Sequence, residues 1–375
     1  MKTKHSSKKT KSKTKSKTKS KTKSYTKQTR KITLNKSVLT LKDYNADIKY
    51  KNLRNIKNIA IVDNHLHFRG YGHKSLEYNT IIKFLIKSGV LFATITGIGQ
   101  RLPNKSNCNY YGMCPNEKIT PSTVNDIINM ENYFKYYNKY KNKIHLILSF
   151  TSIDLHKPTQ SYNLLNHYIT KYKGHFKACG EINLCKQALF SNGRNALPIT
   201  KIKDNRKIMN LLLKNEIPIL IHSDLGNNDN NTQYLKLIKT FVKTYKDNTI
   251  LWAHFGGLCK ELTNIDYNYH IQIIEKLLKK YPKLYIDVSW DIVLNIINTG
   301  VLKLKEYVNL INKYSTRFII GSDFVGSKNK KYKDYKNDIS SLKIIKKHLT
   351  DTAYINLFLG RNYINLYKLN YKVPI

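Results

Sequence analysis

From residue 59 onward, short apolar runs rich in β-branched residues alternate with longer amphipathic stretches. That alternation predicts repeated βα units around a parallel sheet. Eight strands are read at Ile59–Asp63, Val90–Thr96, Ile144–Phe150, His175–Ile182, Ile217–His222, Ile250–Phe255, Leu284–Val288 and Phe318–Asp323. Helices are expected near 75–87, 121–141, 160–173, 203–214, 232–245, 268–280, 300–313 and 338–349, with Thr120 capping and Pro121 opening the second. Eight units favour an α/β fold of the (β/α)8 TIM barrel type over an open sheet, because closure removes both sheet edges. Residues 97–120 form a long insertion after the second strand, on the face where a barrel carries its site, and are read as a lid or specificity loop.

The first 24 residues break this pattern, repeating KSKT and KTKS with nothing apolar to bury. Residues 1–31 are therefore read as a disordered basic tail, 32–57 as an N-terminal extension, and 58–375 as the barrel. Net charge is +42 from 66 basic and 24 acidic residues, and 14 of the basic residues lie in the tail. A polyanion-binding surface would explain the excess, and the tail could serve as a nucleic-acid arm. The joint abundance of Lys, Asn, Ile and Tyr gives a blander account, in which A+T-rich codons place lysine on ordinary solvated faces.

Five cysteines in 375 residues do not make a disulfide framework, so a reducing compartment and unpaired thiols are expected. Cys108 and Cys114, in CNYYGMC, could pair or bind metal, but no second pair follows at zinc-site spacing. No apolar run reaches membrane-span length and no signal-like segment opens the chain, which reads as soluble, intracellular and without a membrane partner. Neither GxGxxG nor GxxxxGK[ST] follows the first strand, which lowers a nucleotide-binding reading. The oligomeric state is left open.

The chemistry gathers at strand ends. In IVDNHLHF, residues two apart project to one face, so His65 and His67 point together, with Asp63. GEI places Glu181 at the end of strand four, LIHSD places His222 at five, WAHFGG places His254 at six, and IIGSDF places Asp323 at eight. In a parallel barrel these ends open on one face, where such a set can hold a divalent metal. Imidazole and carboxylate donors suit zinc, which acidifies water without redox chemistry. Asp323 can take the water's proton. Asp224, Trp290, Arg69, His73, His156 and Arg194 also lie near strand ends and are candidate substrate contacts.

With these motifs in order, the sequence over about residues 58–368 resembles the amidohydrolase superfamily, especially the amidohydrolase-related barrels and their TatD-like relatives. The resemblance implies that His65, His67, His222 and His254 are metal ligands. It implies that Glu181 binds or bridges metal where other members use a carboxylated lysine, and that Asp323 is ligand and proton acceptor. If Glu181 bridges, two ions are held; if it does not, one ion is held and His254 orients or polarises the substrate. LFLGRNYINLY is similar to the family's last helix, although Arg361 precedes Asn362 and the later arginine is lacking. The implied function is hydrolysis of an amide, ester or lactone bond in a small molecule. A metal-dependent nuclease and a catalytically inactive basic binding barrel are the alternatives.

Overall fold

A computed structural model describes residues 32–34, 37–45, 48–50, 52–72, 74–103, 105–108, 110–290 and 301–375. The basic tail read at residues 1–31 and the candidate His73 lie outside them. The described chain forms a sheet of parallel strands, β1 (Val62–His67), β2 (Phe92–Thr96), β3 (His145–Phe150), β4 (Phe176–Cys185), β5 (Ile219–Ser223), β6 (Ile250–Trp252), β7 (Leu284–Val288), β8 (Phe318–Ile320) and the short β9 (Phe324–Val325). Hydrogen-bonded neighbours run in sequence order from β1 to β8, and β9 pairs back on β1 with Phe324 opposite Leu66 and Val325 opposite His67. Three residues separate β8 from β9, so the two form one interrupted eighth strand and the sheet closes as a (β/α)8 barrel.

The interruption has a steric cause. Gly321 lies so close to β1 that a Cβ there would stand 2.6 Å from both the Cβ and the backbone nitrogen of His65. The chain then turns through a left-handed Asp323 (φ 53°), whose amide donates to the His65 carbonyl at 2.6 Å. The single strand expected over Phe318–Asp323 is thus two pieces. Strand six also stops early, at Trp252, because His254, Phe255 and Gly256 all adopt left-handed φ values.

Helices α1 (Tyr78–Lys87), α2 (Thr123–Tyr140), α3 (Pro158–Lys171), α4 (Arg206–Lys214), α5 (Leu235–Thr244), α6 (Tyr267–Lys280), α7 (Val301–Lys313) and α8 (Tyr332–Ser341) follow the strands. α6 buries an apolar stripe of Ile273, Ile274, Leu277 and Leu278 and starts on an Asp266 cap that accepts from the Asn268 amide, whereas α2 buries Asn125, Asp126 and Asn129 beside Met130 and Tyr140. The start expected at Thr120–Pro121 is corrected: these residues pair antiparallel with Gln100–Arg101, and α2 begins at Thr123. The insertion folds back on its own root, which draws the proline out of the helix. The last expected helix, 338–349, is two pieces, α8 and Lys343–His348.

In the extension, Leu39, Leu41, Tyr44 and Ile56 are buried, and the Tyr44 ring meets Phe92 edge-on at 5.0 Å. Phe92 opens β2, so this segment packs at the end of the strands opposite the histidines. No described helix is long and apolar enough to cross a membrane.

Asp126 on α2 ties the helix to the turn after β3, accepting from the Thr151 amide at 2.9 Å, the Thr151 hydroxyl at 2.6 Å and the Ser152 amide at 2.8 Å. Burial pushes its carboxyl up to about 6 against the opposing pull of those hydrogen bonds. A carboxyl raised above its unfolded value, near 4, contributes stability that is full below that value and is lost as pH rises through about 6. Asp126→Asn cannot titrate, so the stability gap between wild type and variant, followed by urea unfolding, should narrow from pH 4 to pH 7. A gap that widens would mean that the fold favours the carboxylate.

Candidate metal centre

The carboxyl ends of the strands bring six side chains to one face. From β1, His65 and His67 project together, as their two-residue spacing requires. The His67 Nδ1–H donates to the Gly97 carbonyl at 2.5 Å, which leaves its Nε2 lone pair facing inward, 3.1 Å from Asp323 Oδ1. His65 Nδ1 faces Asp287 Oδ2 at 2.8 Å, which turns its Nε2 toward Asp323 Oδ1 at 3.3 Å. On the other half, Glu181 Oε1 lies against His222 Nδ1 and 3.1 Å from His254 Nε2. His222 is held from behind by Asp224 Oδ1 at 2.8 Å, and His254 by Ser289 Oγ at 3.2 Å. Glu181 Oε2 spans the halves, 3.7 Å from His67 Nε2 and 3.2 Å from the Lys186 ammonium.

Besides the groups His65, His254 and Asp287, and Asp224, Cys259 and Glu261, two triads gather donor atoms within 4.8 Å of one another: His65, His67 and Asp323, and Glu181, His222 and His254. Either could hold a metal ion. The fit is seen in the atoms left over: His65 Nε2 and Asp323 Oδ1 are buried, face each other and have no hydrogen-bond partner. A buried nitrogen and oxygen facing each other in this way call for positive charge between them, a proton or a metal cation.

The electrostatics agree. Burial alone would lower His65, but Asp287 and Asp323 outweigh it and push the imidazolium up to about 10, so this spot favours positive charge. Burial would raise Asp323, yet His65 and His67 hold it well below the carboxylate range, and Glu181 is held low by Lys186 and His222 in the same way. His254 is lowered by burial and by the neighbouring His222, which suits a neutral ligand nitrogen.

The other sequence candidates separate. Trp290 reaches the site, its ring 4.9 Å from His254. Asp224 is spent on His222 and on the Gln187 amide. Arg194 forms a two-pronged pair with Asp154 at 2.6 and 3.0 Å, beside His156 in a second pocket away from the histidines. Arg69 does not line the cavity over the centre. Sequence reasoning passed over Asp287, Ser289 and Lys186. A carboxylate inside the apolar strand LYIDV was a usable signal, since a buried Asp in a strand core needs a partner; Lys186 offered none in so lysine-rich a chain.

A cavity of about 530 Å3 opens over the centre, lined among others by Tyr71, Tyr110, Lys186, Lys260, Trp290 and Asp323. Tyr110 comes from the insertion, whose Leu102, Cys108 and Tyr111 are buried in a small cluster with Leu189 from beyond β4. Cys108 and Cys114 are joined as a disulfide, against the expectation of unpaired thiols; the turn at Tyr111–Met113 brings their Cα atoms to 6.0 Å, within bonding range.

No protein-family model matches the sequence, and no curated protein matches it. Solved structures with the same fold include an amidohydrolase from Burkholderia multivorans with bound zinc, 12% identical, covering 83% of this chain and 99% of that one at a TM-score of 0.50. Another is a probable 2-pyrone-4,6-dicarboxylic acid hydrolase from Acinetobacter baumannii with citric acid bound, 14% identical, covering 83% and 100% at a TM-score of 0.51. The fold is therefore a (β/α)8 barrel of the kind in which amidohydrolases are found.

Thiol titration checks the insertion. Denatured without reductant, the protein should show three reactive thiols, Cys179, Cys185 and Cys259, and five after reduction. Five in both states would remove the bridge.

Proposed function

We propose that this chain is a metal-dependent hydrolase of the amidohydrolase type, acting on a small molecule, with His65, His67, Glu181, His222, His254 and Asp323 as its metal ligands. The observation that carries this reading is the pair of donor triads, with Glu181 of one triad 3.7 Å from His67 of the other, which suits two divalent ions, zinc by the chemistry of the donors. Bound there, zinc supplies a Lewis acid that polarises a carbonyl oxygen and acidifies water. The residues do the rest. Asp323, ionised at neutral pH and on the mouth of the barrel, accepts the proton of the attacking water on its carboxylate and returns it to the leaving group. Asp287 and Asp224 hold His65 and His222 in the tautomers that direct the remaining nitrogens inward. Trp290 and Tyr110 line the cavity and offer aromatic faces to a substrate. A volume of about 530 Å3 is of metabolite size, which favours a small substrate over a nucleic-acid strand.

The test has two parts. Purified protein should retain zinc or a similar ion by elemental analysis, and the His65→Ala, His67→Ala double variant should lose most of it while circular dichroism shows the barrel intact. In Asp323→Asn, turnover on small esters, lactones or amides, normalised to metal bound, should fall by about 100-fold, the scale of a lost general base. Full metal retention in the double variant, or near wild-type turnover in a metal-replete Asn variant, would overturn the respective assignment.

A further inference from the structure

With 66 basic residues in the chain, a lysine in a cavity wall is unremarkable in itself, and most of the lysines stand in solvent. Three line the cavity over the centre, Lys186, Lys260 and Lys330, and the first two touch the Glu181 half of the centre or its aromatic wall. The Lys186 side chain is only 9% exposed, directly after β4, with its Nζ 3.2 Å from Glu181 Oε2. An ammonium has three N–H donors, and Glu181 is the acceptor Lys186 has among the described residues, so donor capacity remains on the cavity side. Lys260 stands over two aromatic faces that also line the cavity, 5.2 Å from the Tyr110 ring and 5.4 Å from the Trp290 ring. Aromatic faces hold an ammonium in place but accept little of its hydrogen bonding. Among the described residues, no carboxylate pairs with Lys260.

Contacts tie the two lysines to one wall. Lys186 touches Glu181, Glu181 lies 3.1 Å from His254, His254 packs on Trp290, and Trp290 carries Lys260. Outside the metal donors, the carboxylates lining the cavity among the described residues are Asp334 and Asp338, on α8. Asp334 there accepts from the Lys331 amide at 2.6 Å. One wall therefore offers positive charge beside aromatic faces, next to the Glu181 half of the centre.

We infer that the substrate carries a carboxylate, bound between Lys186 and Lys260 with its carbon skeleton against Trp290 and Tyr110. This rests on the hydrolase reading for its meaning, since it names the substrate class of that site. Charge-assisted hydrogen bonds to a carboxylate are roughly twice as strong as neutral ones, so a buried ammonium and a caged one together select an acid over its amide. The anion also compensates Lys186 once Glu181 is shared with metal.

The test is isothermal titration of the full-length protein with glutarate and with its neutral isostere glutaramide, in zinc-loaded and zinc-stripped preparations whose metal content is measured. Glutarate should bind at least about 10-fold more tightly than glutaramide. Lys260→Met and Lys186→Met should each remove about 10-fold of the glutarate affinity and a smaller share of the glutaramide affinity, so that the preference for glutarate shrinks. Lys260 is exposed, so its variant carries the test alone if Lys186→Met does not fold. Equal binding of the two ligands, or glutarate binding by Lys260→Met at wild-type strength, would overturn the inference. If the protein retains no metal and hydrolyses nothing, the hydrolase reading fails; the lysine dependence of glutarate binding is still read in the stripped preparation, so the two failures are told apart.

Discussion

The amide of Asp323 reaching the carbonyl of His65 closes the sheet, and the same bond sets the site. Around it, Asp63 accepts from the Ser322 amide and hydroxyl, both at 2.8 Å, and from the Tyr335 hydroxyl at 3.0 Å. Both ends of the barrel sheet are thus joined through β1, the strand that carries His65 and His67. Because Gly321 must press against His65 to allow this, Asp323 leaves β8 in a left-handed turn, and its carboxylate falls between the two imidazoles rather than along the strand. Closure and the candidate site share one set of backbone contacts, so the closing seam cannot drift without misplacing Asp323.

The same economy governs charge. Four imidazoles, His65, His67, His222 and His254, are buried with the carboxylates of Glu181, Asp224 and Asp287, and the half-buried Asp323 turns its Oδ1 inward among them. Burying so many ionisable groups is unfavourable unless each has a partner. Asp287 and Asp224 stand behind the rings, which leaves the forward nitrogens and the Asp323 and Glu181 oxygens facing one another. Such a cluster is tolerable as a cation site and expensive as anything else, which is why its geometry argues for metal more strongly than any single residue does.

The alternating pattern made the barrel legible, because eight buried parallel strands read as eight apolar runs whatever their exact limits. Strand ends were legible for the same reason: His65, His67, His222 and His254 are polar intrusions at the ends of runs that are otherwise apolar. Tertiary facts were not. Nothing local says that Thr120–Pro121 pairs with Gln100–Arg101, since that depends on where the insertion returns. The Cys108–Cys114 bridge likewise depends on the turn between them, and a residue six positions on is as often far as near. Asp287 was readable and passed over, because attention stopped at the strand's last residue rather than at its only charge.

Lysine abundance shows how composition and site are to be separated. A codon-driven excess adds lysines where nothing resists them, on solvated helix faces, and such residues carry little energy. It does not easily place one within the barrel mouth, where losing water must be offset by a specific partner. Lys186 meets that condition through Glu181, and Lys260 meets a weaker form of it through two aromatic rings. The charge that says least about this protein is the part that dominates its total, and the charge that says most is carried by two side chains held in place by the centre and its walls.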